Sequence, residues 1–124
     1  MVKKMSVGRT LRKSILVTAA MVFACASIGL MAAPFAYITN NNSGSNSVSV
    51  IDLATNIVTA TIPITPALAQ PYGVAVNGSG TRVYISNTGA DTVSVINTAT
   101  NAVIANIPVA GGPRGIAIDR KSVV

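Results

Sequence analysis

The chain has no histidine, tryptophan or glutamate, and its only cysteine is Cys25. Charged residues make up 10% of its 124 positions and aromatic residues 4%. Between residues 37 and 118 lysine is missing as well, leaving Asp52 and Asp91 as the acids and Arg82 and Arg114 as the bases. General acid–base pairs, nucleophile–base pairs and zinc sites all need residue types that this stretch does not contain. No catalytic residue, metal site or cofactor is therefore expected here, and the chain is not expected to be an enzyme. The formal charge of +6 at first suggests a nucleic-acid binder. However, Lys3, Lys4, Arg9, Arg12 and Lys13 are all in the first thirteen residues. From residue 37 onward, four bases (Arg82, Arg114, Arg120, Lys121) face three acids (Asp52, Asp91, Asp119), with no basic stripe to neutralise phosphates. No nucleic-acid partner is expected.

An uncharged, mostly apolar run follows the basic start, from Ser14 to Ala36. A positive n-region ahead of an apolar h-region has the form of a secretory signal, whose charged flank stays in the cytoplasm. Ala26, Ala33 and Ala36 each precede a candidate cleavage point. If uncut, residues 14–36 are long enough to anchor the chain in a bilayer. Residues 1–36 are thus expected to be a signal peptide or N-terminal membrane anchor, placing the rest in the periplasm, on the cell surface or outside the cell. Cys25 lies inside this leader, so the exported part has no disulfide despite an oxidising destination.

The rest of the chain repeats itself. Val48-Ser49-Val50-Ile51-Asp52-Leu53-Ala54-Thr55-Asn56-Ile57-Val58-Thr59-Ala60-Thr61-Ile62-Pro63 returns as Val93 to Pro108, with eleven of sixteen positions identical at an offset of 45. Tyr37-Ile38-Thr39-Asn40 returns as Tyr84-Ile85-Ser86-Asn87, and Gly73-Val74-Ala75-Val76 as Gly115-Ile116-Ala117-Ile118. Offsets of 47 and 42 for these two pieces put the length changes in Asn41–Ser47 against Thr88–Thr92, and in Ile64–Gln70 against Val109–Gly112. Variable connections between constant pieces indicate a stacked supersecondary repeat. The constant pieces alternate with period two, as strands do. Ala54-Thr55-Asn56, Ala99-Thr100-Asn101 and Asn77-Gly78-Ser79-Gly80 read as tight turns, and Pro63 and Pro108 close their strands. Four antiparallel strands in 42 to 47 residues make a propeller blade.

Residues 37–118 resemble the YVTN family of β-propeller repeats. The signature stands here as Tyr37-Ile38-Thr39-Asn40 and Tyr84-Ile85-Ser86-Asn87, followed in the family's order by Val-Ser-Val-Ile-Asp/Asn, Ala-Thr-Asn, Ile-Pro and Pro-x-Gly-Val/Ile-Ala. The resemblance implies an all-β fold of four-stranded antiparallel blades, usually seven to a ring, in an exported and sometimes surface-bound protein. It carries over no catalytic residue.

Labelled a to d from the axis outward, Tyr72–Val76, Arg82–Ser86, Thr92–Ile96 and Val103–Ile107 make one complete blade. Tyr37–Asn40, Val48–Asp52 and Ile57–Ile62 are b, c and d of a blade lacking its a strand, and Arg114–Ile118 is a lone a strand. About two blades cannot close a ring, which at this period takes roughly 300 residues. The chain is therefore expected to be a fragment: leader 1–36, partial propeller 37–118, and a non-native tail 119–124. Asp119-Arg120-Lys121-Ser122-Val123-Val124 can be written GAT CGG AAG AGC GTC GTG, a common sequencing-library adapter, where the repeat calls for a turn and another strand.

Asp52 aligns with Asn97, so a turn-capping role suits both, and Asp91, beside Gly89, reads the same way. Tyr37 and Tyr84 repeat identically and read as packing between blades. Tyr72 and Arg114 occupy equivalent starts of a strands, near the mouth of the central channel where propellers commonly bind ligands; they are the candidate ligand-binding residues. The expected function is a non-enzymatic binding or scaffold module, taking a protein or glycan ligand at the channel mouth or loops. Alternatives are a piece of a lactonase- or dehydrogenase-like propeller enzyme whose catalytic residues lie in other blades, and a surface adhesion module. Long-read sequencing of the encoding DNA across codon 118 is expected to continue into further Tyr-Val-Thr-Asn-like repeats; a verified stop after Val124 overturns that expectation.

Overall fold

A computed structural model describes residues 34–42 and 44–120. The leader as far as residue 33, and Lys121–Val124 of the tail, lie outside the described residues. Among the described residues no helix is long and apolar enough to cross a membrane.

Seven strands form two antiparallel sheets. The first has the order β1 (Phe35–Asn42), β2 (Ser45–Asp52), β3 (Ile57–Pro63). The second has the order β4 (Pro71–Val76), β5 (Arg82–Asn87), β6 (Thr92–Asn97), β7 (Ala102–Pro108). Each is a meander in chain order, and the expected b-c-d and a-b-c-d sets are both present. The β2–β3 and β6–β7 ladders each carry one bulge, at Val50/Ile51 and at the equivalent Val95/Ile96. The turns beyond them are also alike. Asp52 Oδ1 accepts the Ala54 and Thr55 amides at 2.7 and 3.3 Å, and Asn97 Oδ1 accepts the Ala99 amide at 2.9 Å. Asn56 and Asn101 then take the left-handed conformation at φ 57° and 51°, which Asn tolerates better than most side chains.

Two elements depart from the sequence reading. β1 begins at Phe35, inside the boundary drawn at residue 37, because β2 is long enough to pair Phe35 with Asp52 and Ala36 with Ile51. The Pro34 carbonyl extends this end by accepting the Leu53 amide at 3.0 Å. Arg114–Ile118, expected as a lone strand, is in no ladder. A strand is defined by its neighbour's hydrogen bonds, and no described strand lies beside this segment.

Packing follows from the period-two alternation. One face of the three-stranded sheet carries Tyr37, Val48, Val50, Ala60, Ile62 and, just beyond β3, Ile64. It packs on Val83, Ile85, Ile96 and Val103 of the four-stranded sheet, and the core lies between the two. The opposite faces have no sheet against them among the described residues. Gly73 is needed where the chain crosses: a Cβ there would run into the Arg114 carbonyl and sit 2.8 Å from Ser86 Oγ. Gly73→Ala should lower stability by about 1–3 kcal/mol, the usual range for overpacking. Ile85 is fully buried, so Ile85→Ala should cost about 2–5 kcal/mol. Leu53→Ala, in an exposed turn, should shift stability by less than about 0.5 kcal/mol. Denaturant titration of the three variants against the parent chain measures all three effects.

Candidate functional site

Each sheet is tied to the chain that follows it by hydrogen bonds that recur at equivalent positions. Thr39 Oγ1 donates to the Tyr72 carbonyl at 2.9 Å, and Ser86 Oγ donates to the Arg114 carbonyl at 2.8 Å. Asn46 Oδ1 accepts the Gln70 amide at 3.2 Å, and Asp91 Oδ1 accepts the Gly112 amide at 2.7 Å. The Ile64 and Val109 amides reach the carbonyls of Asn46 and Asp91 at 2.9 and 2.8 Å. Each repeat therefore grips the chain that leaves it in the same way, placing Tyr72 and Arg114 on successive, equivalent backbone positions.

With their carbonyls tied down, both side chains turn to solvent; Tyr72 is 56% exposed and Arg114 is exposed. The Arg114 guanidinium stands 5.9 Å from the centre of the Tyr72 ring, within cation–π range. The pair offers an aromatic face beside a cation with several N–H donors. Such a surface can stack against a sugar ring or apolar group while pairing with a carboxylate. The two residues singled out from sequence are thus brought together.

A second feature had no sequence signal. At the end of the sheets where Asp52 and Thr98 lie, a groove of about 270 Å³ is lined by Phe35, Tyr37, Asp52, Thr59, Thr98 and Asn101. The Asn101 side-chain oxygen is buried there without a hydrogen-bond partner among the described residues. The groove depends on how two repeats meet, which spacing within one repeat does not reveal. Tyr37 packs against the core cluster between the sheets, as read from its repetition. Asp52 is occupied as a turn cap. Asp91, expected as a turn cap, instead accepts the Gly112 amide, so its carboxylate holds the next connection and no amide of its own turn. Among the described residues no three His, Cys, Asp or Glu side chains come together.

No protein-family model matches the chain, and no curated protein matches it. Among solved structures it is similar to the hydrazine synthase of Kuenenia stuttgartiensis, at 30% identity and a TM-score of 0.59. The match covers 65% of this chain and 22% of that one. The fold is that of a partial β-propeller. Tyr72 lies at the start of β4, and Arg114 lies at the equivalent position of the segment that leaves the four-stranded sheet.

Burial raises the Tyr37 phenol above its ordinary pKa of 10.0. The unfolded chain releases that proton first, so this contribution is intact below about pH 10 and is lost as pH climbs through the folded-state value. Alkaline unfolding followed at several pH values should show Tyr37→Phe losing less stability above pH 10 than the parent does.

Proposed function

We propose that the chain is part of an exported, non-enzymatic propeller of the YVTN type, acting as a rigid scaffold that binds a glycan or protein at its channel mouth. The observation that carries this reading is the exposed Tyr72–Arg114 stack, held at equivalent positions of successive repeats by backbone anchoring. A function set by exposed residues on a rigid frame needs no acid–base pair, in keeping with a repeat region that lacks His, Cys, Glu and Lys. The leader supports export. A cut after Ala36 would remove Phe35 and Ala36 from β1, whereas a cut after Ala26 or Ala33 keeps the whole ladder.

The alternative of a propeller within a larger enzyme draws on the likeness to hydrazine synthase. It places every catalytic group outside the repeats seen here.

A ring-stacking aromatic beside a guanidinium favours sugars that carry carboxylates. Calorimetry with oligogalacturonate and with neutral cellohexaose as probes should show preference for the acidic oligomer. Tyr72→Ala and Arg114→Ala should each weaken its binding about tenfold, the scale of one lost charge-assisted hydrogen bond or stacking contact. Equal, substitution-insensitive affinity for both probes would remove the channel-mouth reading.

A further inference from the structure

The groove at the end of the sheets takes one wall from each repeat, with Asp52 and Thr59 on the first and Thr98 and Asn101 on the second. Apart from the Tyr37 hydroxyl, its side-chain polar groups face it with acceptors. Asp52 uses only Oδ1 to cap the Ala54 and Thr55 amides, which leaves Oδ2. The Thr59 hydroxyl gives its hydrogen to the Val50 carbonyl at 3.3 Å, and the Thr98 hydroxyl gives its own to the Gly80 carbonyl at 2.8 Å. A hydroxyl whose hydrogen is engaged has only lone pairs to offer. The Asn101 side-chain oxygen is buried with no partner among the described residues. An acceptor left in that state costs about 1–3 kcal/mol unless a donor reaches it. None of the lining residues is basic.

The turn does not require the charge of Asp52. Asn97 stands at the equivalent position and caps the Ala99 amide at 2.9 Å with a neutral side chain. Thr59 and Thr98 likewise stand where the other repeat has Ile104 and Leu53. Three of the acceptors in the groove thus occupy positions that the repeat fills elsewhere with neutral or apolar side chains. The frame does not account for them, whereas a ligand that donates hydrogen bonds and carries positive charge does.

The remaining surface is apolar, supplied by the rings of Phe35 and Tyr37 and by Val50. An aromatic face beside a carboxylate suits a cation with a hydrocarbon body, and a bare metal ion would leave that face unused. At about 270 Å³ the groove is smaller than the roughly 300–1,000 Å³ of pockets for drug-sized ligands, so its occupant is small.

We propose that this groove binds a primary alkylammonium group, which donates to Asp52 and Asn101 and lays its hydrocarbon chain along Phe35 and Tyr37. An ammonium has three N–H donors and no acceptor, the complement of a groove lined by acceptors. Small free amines and lysine side chains both carry this group. Neither Tyr72 nor Arg114 lines the groove, so the site is separate from the channel-mouth pair and does not depend on what that pair binds.

The test is an NMR titration of the nitrogen-15-labelled 124-residue chain. n-Butylammonium should produce saturable shifts of the Ala54 and Thr55 amides and of the Asn101 side chain. Neutral 1-butanol, and tetramethylammonium, which is charged but has no N–H, should each bind at least about tenfold more weakly, the scale of a charge-assisted hydrogen bond. Asp52→Asn should weaken n-butylammonium about tenfold and leave the melting temperature in place, because an asparagine already holds the equivalent turn. Asn101→Gly keeps the left-handed backbone at φ 51° and should weaken binding about fivefold. Between n-butylammonium and Nα-acetyl-lysinamide, the tighter binder identifies whether the group arrives on a free amine or on a lysine side chain. Equal affinity for n-butylammonium, 1-butanol and tetramethylammonium overturns the inference. So does an absence of saturable shifts, an Asp52→Asn chain that binds as the parent does, or calcium binding the groove more tightly than n-butylammonium.

Discussion

The structure depends on a hydroxyl placed where one repeat hands the chain to the next. Thr39 and Ser86 each donate to a carbonyl of the chain that follows their sheet, those of Tyr72 in β4 and of Arg114. One such bond contributes only about 1 kcal/mol net, less than burying a single valine or isoleucine at about 1.5–3 kcal/mol. Apolar burial therefore supplies the strength of the junction. The hydroxyl supplies its geometry, because Val48, Val50 and Ile62 would tolerate a slipped partner and a hydrogen bond would not. The amides capped by Asn46 and Asp91 fix the same crossing from the other side.

This gives the recurring four-residue signature a physical meaning. In Tyr37-Ile38-Thr39-Asn40 the tyrosine packs between sheets and the threonine bridges to the next repeat. The asparagine ties its strand to the neighbour, donating to Ser47 and Ser49 at 3.1 and 2.8 Å. In Tyr84-Ile85-Ser86-Asn87 the serine takes the threonine's part, and Asn87 donates to Thr92 and Ser94 at 3.0 and 2.8 Å. The second position points to the face opposite the tyrosine, which in the second sheet is covered by the first sheet and in the first sheet is covered by no described element, so Ile85 is core while Ile38 is exposed. The motif is a junction, which is why it can recur while exposed residues such as Tyr72 and Arg114 differ.

What was legible in the sequence was what lies within one repeat. Alternation of Val48 and Val50 with Ser49, the polar turns at Ala54–Asn56 and Ala99–Asn101, and the drifting offsets locate all seven strands and their order. The meeting of Tyr72 and Arg114 was legible only as shared position, since equivalent residues of adjacent blades are neighbours by construction. Relations between repeats were hidden. The role of Asp91 as a clamp on Gly112 looked like turn capping, because an Asx side chain satisfies a local amide or a distant one with the same atoms. The groove at Asn101 arises from two surfaces whose sequences are far apart. The Arg114–Ile118 strand failed to form for a similar reason: its local pattern is that of β4, but a ladder belongs to two strands, and pattern describes only one.

A junction with unlike faces has a consequence for where specificity can reside. Each sheet offers one kind of face forward and another backward, so no sheet can satisfy both of its own surfaces, and stability accrues only as repeats are added. The residues that make this stacking work are committed to it: the hydroxyls, the asparagines, Asp91 and the core valines and isoleucines cannot vary freely without disturbing the junction. Freedom to change is left to side chains whose backbone is held but whose tips reach solvent. Tyr72 and Arg114 meet that condition, with carbonyls fixed by Thr39 and Ser86 and side chains exposed. A repeat built this way places its exposed, differing residues at equivalent backbone positions, so that they can change from one repeat to the next while the junction stays constant.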